Sequence, residues 1–168
     1  SKTMLCRHTW IWHIINITNK PLDEVSYMLD GDVPKDFANL RVSVKDGNNH
    51  KLKIKSINAN KPLHKEFIVQ LQKKLRPKQK TILKLEYDWE EPERYFFYQL
   101  STDCKKITYQ LTAPKRLEIK PRVLKVDPTT GFKSLAKASP TVQYLKDKTI
   151  VLWSSSGIKA FDAYRFDW

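Results

Sequence analysis

The sequence predicts an all-β fold, a two-sheet antiparallel β-sandwich of about ten to twelve short strands over residues 1–168, with a β-barrel as the alternative. Three observations carry this expectation. Short runs rich in β-branched and aromatic residues recur along the chain with period-two alternation. Nine prolines fall mostly between these runs, where a missing backbone donor costs least. Few segments hold apolar residues at helical spacing.

The first run, Arg7 to Ile17, places Trp10, Trp12 and Ile14 on one face and Ile11, His13, Ile15 and Ile17 on the other. Both faces are largely apolar, which predicts a central strand. Glu24 to Leu29 predicts a second strand. Leu40 to Lys45 and Lys51 to Ile57 flank Asp46-Gly47-Asn48-Asn49, the strongest local hairpin signal in the chain. Lys65 to Leu71 fits a strand and also a helical stripe; the neighbouring strands and Pro77 favour the strand.

Thr81 to Tyr87 aligns Leu83, Leu85 and Tyr87. Arg94 to Leu100, dense in aromatics, predicts another central strand. Ile107 to Thr112 alternates cleanly, and Asp103 to Lys106 would turn the chain into it as a hairpin. Leu117 to Val126 is interrupted by Pro121, predicting an edge strand or two short pieces. Asp127 to Gly131 is a turn, and Phe132 to Pro140 is expected to be loop. Val142 to Leu145, Thr149 to Trp153 and Ala160 to Trp168 complete the set, with Ser154 to Gly157 read as a turn.

The chain has 168 residues with 31 Lys and Arg against 18 Asp and Glu, a formal charge of +13. That length supports one domain with a core needing no metal or disulfide. No apolar stretch approaches the roughly 20 residues of a bilayer helix. Arg7 and His8 break any secretory h-region. The chain starts at Ser1 rather than Met, which suggests a piece of a larger protein. Cys6 and Cys104 are expected to be reduced thiols of a cytoplasmic protein.

No metal or cofactor is expected. His8 and His13 have opposite parity, no HExxH or CxxC spacing occurs, and the histidines are expected at the surface or partly buried. Glu86, Asp88, Glu90, Glu91 and Glu93 crowd one segment and are expected to form a solvated inter-strand loop that offsets neighbouring cations. Catalysis would require Glu90 or Glu93 to face another acid in a pocket. Ser154-Ser155-Ser156-Gly157 lacks the GxSxG context of a nucleophile, and four glycines are too few for phosphate-cradling loops.

Binding is the remaining class. Lys73, Lys74, Arg76, Lys78 and Lys80 form a run with no acid among them, and Lys115, Arg116, Lys120, Arg122 and Lys125 a second. Such rows attract phosphates with strong salt dependence and little sequence specificity. Lysines on an outer sheet face also serve solubility and block edge pairing. Trp10, Trp12 and Trp153 are expected in the core, and Trp89 and Trp168 are the candidate exposed aromatics. The expected function is a noncatalytic interaction or ligand-sensing module, an accessory domain that binds a protein partner through a sheet edge or an aromatic patch. A low-specificity nucleic-acid-binding domain is the alternative.

Overall fold

The computed structural model describes residues 5–100 and 103–168, so the start at residues 1–4 lies outside the described residues. The fold is all-β, and every strand pairing is antiparallel. Among the described residues there are thirteen strands: β1 (Leu5–Ile15), β2 (Leu22–Asp30), β3 (Ser43–Asp46), β4 (Lys53–Lys61), β5 (His64–Leu75), β6 (Lys80–Glu90), β7 (Tyr95–Gln99), β8 (Cys104–Pro114), β9 (Arg122–Val126), β10 (Lys133–Leu135), β11 (Thr141–Tyr144), β12 (Lys148–Ile158) and β13 (Ala163–Asp167). No helix of these residues is long and apolar enough to cross a membrane.

The strands form a six-stranded sheet in the order β11-β12-β8-β1-β6-β3, a four-stranded sheet β10-β9-β13-β7 and a three-stranded sheet β2-β5-β4. None closes on itself, so the barrel alternative falls. The sandwich is realised as one large sheet facing two small ones. Trp12 on β1 packs on Tyr27 of β2 at 5.4 Å between ring centroids. Trp10 packs on Tyr98 of β7 at 4.4 Å and on Phe166 of β13 at 5.5 Å. One aromatic row on β1 therefore fastens both small sheets. The split of the second layer has a local correlate. Register irregularities interrupt β2–β5 near Leu22 and β4–β5 near Ser56 and Ala59. Bulges of this kind raise strand twist and turn a sheet away from its neighbour.

β1 is central, between β8 and β6, as its two apolar faces require. The segment Lys65–Leu71 is strand, within β5. Other expectations need correction. The Asp46–Asn49 turn exists, with Asp46 Oδ1 accepting from the Asn48 and His50 amides at 2.9 Å each and Asn49 taking the positive φ. It does not close a hairpin ladder. β3 pairs with β6 and β4 with β5, leaving one bridge, Lys45 to Lys51. Each strand finds a longer partner in a different layer, and the turn carries the chain between them.

β7 is an edge strand rather than a central one. Phe96 and Tyr98 pack inward, at 5.5 Å and 4.4 Å from Trp10, instead of marking pairing on both sides. No hairpin joins β7 to β8, because β7 pairs with β13 while β8 lies between β1 and β12. β9 is one short interior strand, starting just after Pro121. The expected loop after Gly131 contains β10, which the Asp127–Gly131 turn folds back on β9. Ser154 to Gly157 continue β12 instead of turning; Ser154 Oγ meets Thr108 Oγ1 across the ladder at 2.8 Å.

Both candidate exposed tryptophans are buried. Trp89 is 0% exposed: it follows Leu83, Leu85 and Tyr87 in inward parity on β6, and its Nε1 donates to Val33 O at 2.8 Å. Lys65, also fully buried, lies 5.7 Å from the Trp89 ring and donates to Lys61 O and Pro62 O. Trp168 is 8% exposed, its amide donating to Arg94 O at 2.9 Å and its ring edge-on to His8. Aromatic residues beside charges in sequence were inward-facing members of alternating strands.

Candidate functional site

Two sheet edges face each other on the split layer. β2 is the edge of the three-stranded sheet and β7 the edge of the four-stranded one, and no ladder joins them among the described residues. Between them runs an apolar slot. Its floor is the large sheet, through Trp12, Ile14, Leu83, Leu85 and Cys104, and its walls are Val25–Leu29 and Tyr98–Leu100. The floor holds a cavity of about 80 Å³. A second cavity, about 170 Å³, adjoins it along the same two walls, bordered by Met28, Asp30, Phe96, Phe97 and Phe161. Met28, Phe97 and Phe161 are 57%, 47% and 66% exposed, so apolar side chains continue from the slot to the surface.

The slot has binding chemistry. Tyr27 is buried, and its hydroxyl has no hydrogen-bond partner among the described residues. Burial, and then the neighbouring Tyr98, push the Tyr27 phenol far above the ordinary tyrosine range, so it stays protonated as a donor. Burial likewise raises Cys104, whose thiol donates to Lys106 O at 3.1 Å; a thiol so placed is unreactive. β2 carries Asp23, Glu24 and Asp30 and no cation, while β7 carries no charge at all. Glu24 is bonded to Lys55 at 2.5 Å and Asp30 to His64 at 2.6 Å, both from within the three-stranded sheet.

The predicted basic residues are brought together on one connection. Lys73 and Lys74 end β5, Arg76 and Lys78 lie in the turn, and Lys80 starts β6. All five are exposed, and none makes an ion pair among the described residues. Buried Asn16 braces the turn: its side chain donates to Leu75 O at 2.8 Å and its carbonyl accepts from the Lys78 amide at 2.8 Å. The second basic run differs. Arg122 pairs with Asp167 at 2.9 Å and Lys125 with Asp162 at 2.7 Å.

The acidic cluster is not a solvated loop. Glu86, Asp88 and Glu90 share the outer face of β6, and cations from β6 itself and from neighbouring elements meet them. Asp88 contacts Arg7 at 2.7 Å and Arg41 at 3.0 Å, Glu86 contacts Lys84 at 3.0 Å, and Glu90 contacts Lys35 at 2.9 Å. Burial presses the Asp88 carboxyl upward, yet Arg7, Arg41 and Lys35 hold it below the usual aspartate range. A carboxyl depressed in the folded state contributes stability above its unfolded value of 3.8 and loses it as pH falls through the folded value. Asp88→Asn should therefore cost about 1 kcal/mol at pH 7, since Arg7 and Arg41 are largely exposed. It should also lose less stability than wild type below pH 3.8, read by urea melts across pH.

Sequence reasoning missed the buried pair His8 and Glu91, 0% and 2% exposed, with His8 Nε2 3.2 Å from Glu91 Oε1. His8 Nδ1 lies 3.2 Å from the Tyr109 hydroxyl, and the ring stacks on Tyr87 at 4.7 Å. Burial lifts the Glu91 carboxyl above the usual range against the pull of His8, and with Glu90 it helps push the buried Cys6 thiol up to about 12. The signal was parity: His8 shares the inward face with Trp10 and Trp12. The pair is enclosed by Tyr87, Phe96, Tyr109 and Trp168 and lines neither slot cavity. Glu90 is taken by Lys35 and Glu93 is exposed, so neither faces an acid in a pocket. Among the described residues no cluster of His, Cys, Asp or Glu could hold a metal ion. Compared with known proteins, the chain matches no family model, no curated protein and no solved structure.

Proposed function

We propose that this protein is a noncatalytic interaction module that takes up an extended segment of a protein partner between β2 and β7. The observation that carries the proposal is the pair of unjoined sheet edges lining one apolar slot. An edge strand presents a row of backbone donors and acceptors to any extended chain, and proteins ordinarily blunt such edges with charge. β7, the segment Tyr-Phe-Phe-Tyr-Gln, carries no such guard. A strand entering the slot would bond to both edges and cover the apolar floor, each backbone bond contributing about 1 kcal/mol net. In this role the chain would be an accessory part of a larger protein or complex. On this reading the setting is cytoplasmic, with Cys104 a buried thiol that donates to Lys106 O.

Amide hydrogen exchange tests the proposal, using a nine-residue peptide selected on the whole chain from a random display library. Bound peptide should slow exchange in β2 and β7 and leave β5–β6 unchanged. Slowing confined to other strands would refute it.

The unpaired cations of the β5–β6 connection support a second reading, low-specificity binding of a nucleic acid. A single-stranded oligonucleotide should then shift in a gel at low salt, with log affinity falling by about 0.7 per phosphate contact for each unit of log salt. Changing Lys73, Lys74, Arg76, Lys78 and Lys80 together to Ala should flatten that slope. No shift at low salt removes this reading, and an unchanged slope removes the site.

A further inference from the structure

We propose that one end of the sandwich docks on an anionic lipid bilayer, with Ile17, Phe132 and Phe161 entering the headgroup layer and the lysines around them meeting lipid phosphates. The proposal does not rest on the strand-addition reading. Strand register brings the three side chains to one end. Ile17 lies two residues beyond the last β1 pair, Ile15 with Lys80, and so beside the start of β6. His13, near the end of β1, pairs with Lys106, near the start of β8. Ile158 ends β12 opposite Cys104, which starts β8, and Phe161 follows in the turn to β13. Ala163, which starts β13, pairs with Val126, which ends β9 and pairs in turn with Lys133. Phe132 stands just before Lys133, where the β9–β10 turn closes.

All three project from connections between strands. Ile17 is 69% exposed, Phe132 70% and Phe161 66%. The backbone holds two of them in place. The Phe161 amide donates to Leu100 O at 2.7 Å, and Phe132 O accepts from the Asp127 amide at 2.9 Å. Phe161 also takes a positive φ of 68°, a left-handed conformation that a bulky side chain rarely adopts. Turns fixed in this way present apolar side chains with little ordering cost on contact.

Charge commits this end to an anionic partner. Lys78, Lys80, Lys105, Lys106 and Lys133 stand there, all exposed and without an ion pair among the described residues. The acids of the turns at this end are bound within those turns. Asp46 accepts from the His50 amide, Asp127 from the Thr129 amide, Asp103 from the Ala160 amide and Asp162 from the Lys159 amide, at 2.8–2.9 Å. Asp103 and Asp162 also pair with Lys159 and Lys125. At the opposite end acids and cations are matched, Asp88 with Arg7 and Arg41, Glu90 with Lys35 and Asp167 with Arg122. An anionic bilayer attracts lysines near its surface, and apolar tips that leave water add to the binding. A nucleic acid would use the cations but not Ile17, which has no ring to stack on a base.

The test is cosedimentation of the whole chain with vesicles of phosphatidylcholine, alone or with about one-third phosphatidylserine. Binding is expected to the mixed vesicles and not to phosphatidylcholine alone. Ile17→Ser combined with Phe132→Ser, neither position bordering the slot, should weaken it about tenfold with the melting temperature unchanged. Changing Lys105, Lys106 and Lys133 together to Ala should weaken it at least about tenfold. Changing Lys115, Arg116 and Lys120 together to Ala removes as much charge from the opposite end. The length of β1, roughly 35 Å, exceeds a Debye length of about 10 Å, so that variant should bind within about twofold of wild type. Phe132→Trp reads insertion directly. All five native tryptophans are buried, so brominated acyl chains should quench only the added one. No binding to the mixed vesicles overturns the proposal, as does an oligonucleotide that binds while vesicles do not. An equal loss from the two lysine and arginine triples, or unquenched emission from the Phe132→Trp variant, overturns it as well.

Discussion

Trp10→Ala is expected to remove about 3–5 kcal/mol of stability, much of the roughly 5–15 kcal/mol that holds a typical domain. Trp10 is fully buried, with ring centroids of Tyr98 at 4.4 Å, Tyr109 at 4.5 Å, and Phe96 and Phe166 at 5.5 Å each. These partners come from β7, β8 and β13, so the ring joins the large sheet to the four-stranded one. Its loss leaves a cavity where two layers meet, and strands held from both sides cannot close on it. Urea unfolding followed by far-ultraviolet circular dichroism reads the change. A loss below about 1 kcal/mol would mean that the layers are held elsewhere.

Gly31→Ala is expected to be nearly as damaging, at about 1–3 kcal/mol, through overpacking rather than a void. A Cβ on Gly31 would lie only 2.1–2.5 Å from the Trp89 ring atoms Cε2, Nε1 and Cδ2. The glycine amide donates to Leu63 O at 3.0 Å, the Trp89 indole donates to Val33 O, and Lys65 lies against the same ring. Neither partner can shift without giving up a bond. This junction locks the three-stranded sheet to β6, and so fixes the β2 wall of the slot. Trp89→Phe should cost stability alone but relieve Gly31→Ala, giving a coupling of at least about 0.5 kcal/mol in a double-mutant cycle. Strict additivity would contradict the clash.

Much of the fold was legible in residue alternation. Trp10 and Trp12 announced the inner face of β1, and Leu83, Leu85 and Tyr87 that of β6. The same parity extends to Trp89 inward and to Glu86, Asp88 and Glu90 outward. The charges suggested a loop, yet opposite charges on β1 and β3 make a charged strand face stable. Turn chemistry was legible at Asp46–Asn49 and at Asp127–Gly131. Partner choice was not: nothing local in Ser43–Asp46 tells that β6 lies beside it rather than β4. The slot was illegible for the same reason, since an edge is defined by what fails to pair. Sequence reasoning pointed to a sheet edge as a binding surface without indicating which. The five exposed cations were visible as a run, and the structure adds that no acid among the described residues pairs with them.

The most direct measurement is an isotope-edited NMR experiment on the whole chain with a library-selected peptide bound. Insertion between β2 and β7 predicts cross-strand nuclear Overhauser contacts from the peptide backbone to both walls, to Val25–Leu29 on one side and Phe96–Gln99 on the other. Peptide contacts to neither wall, or only to side chains around Lys73–Lys80, would contradict it.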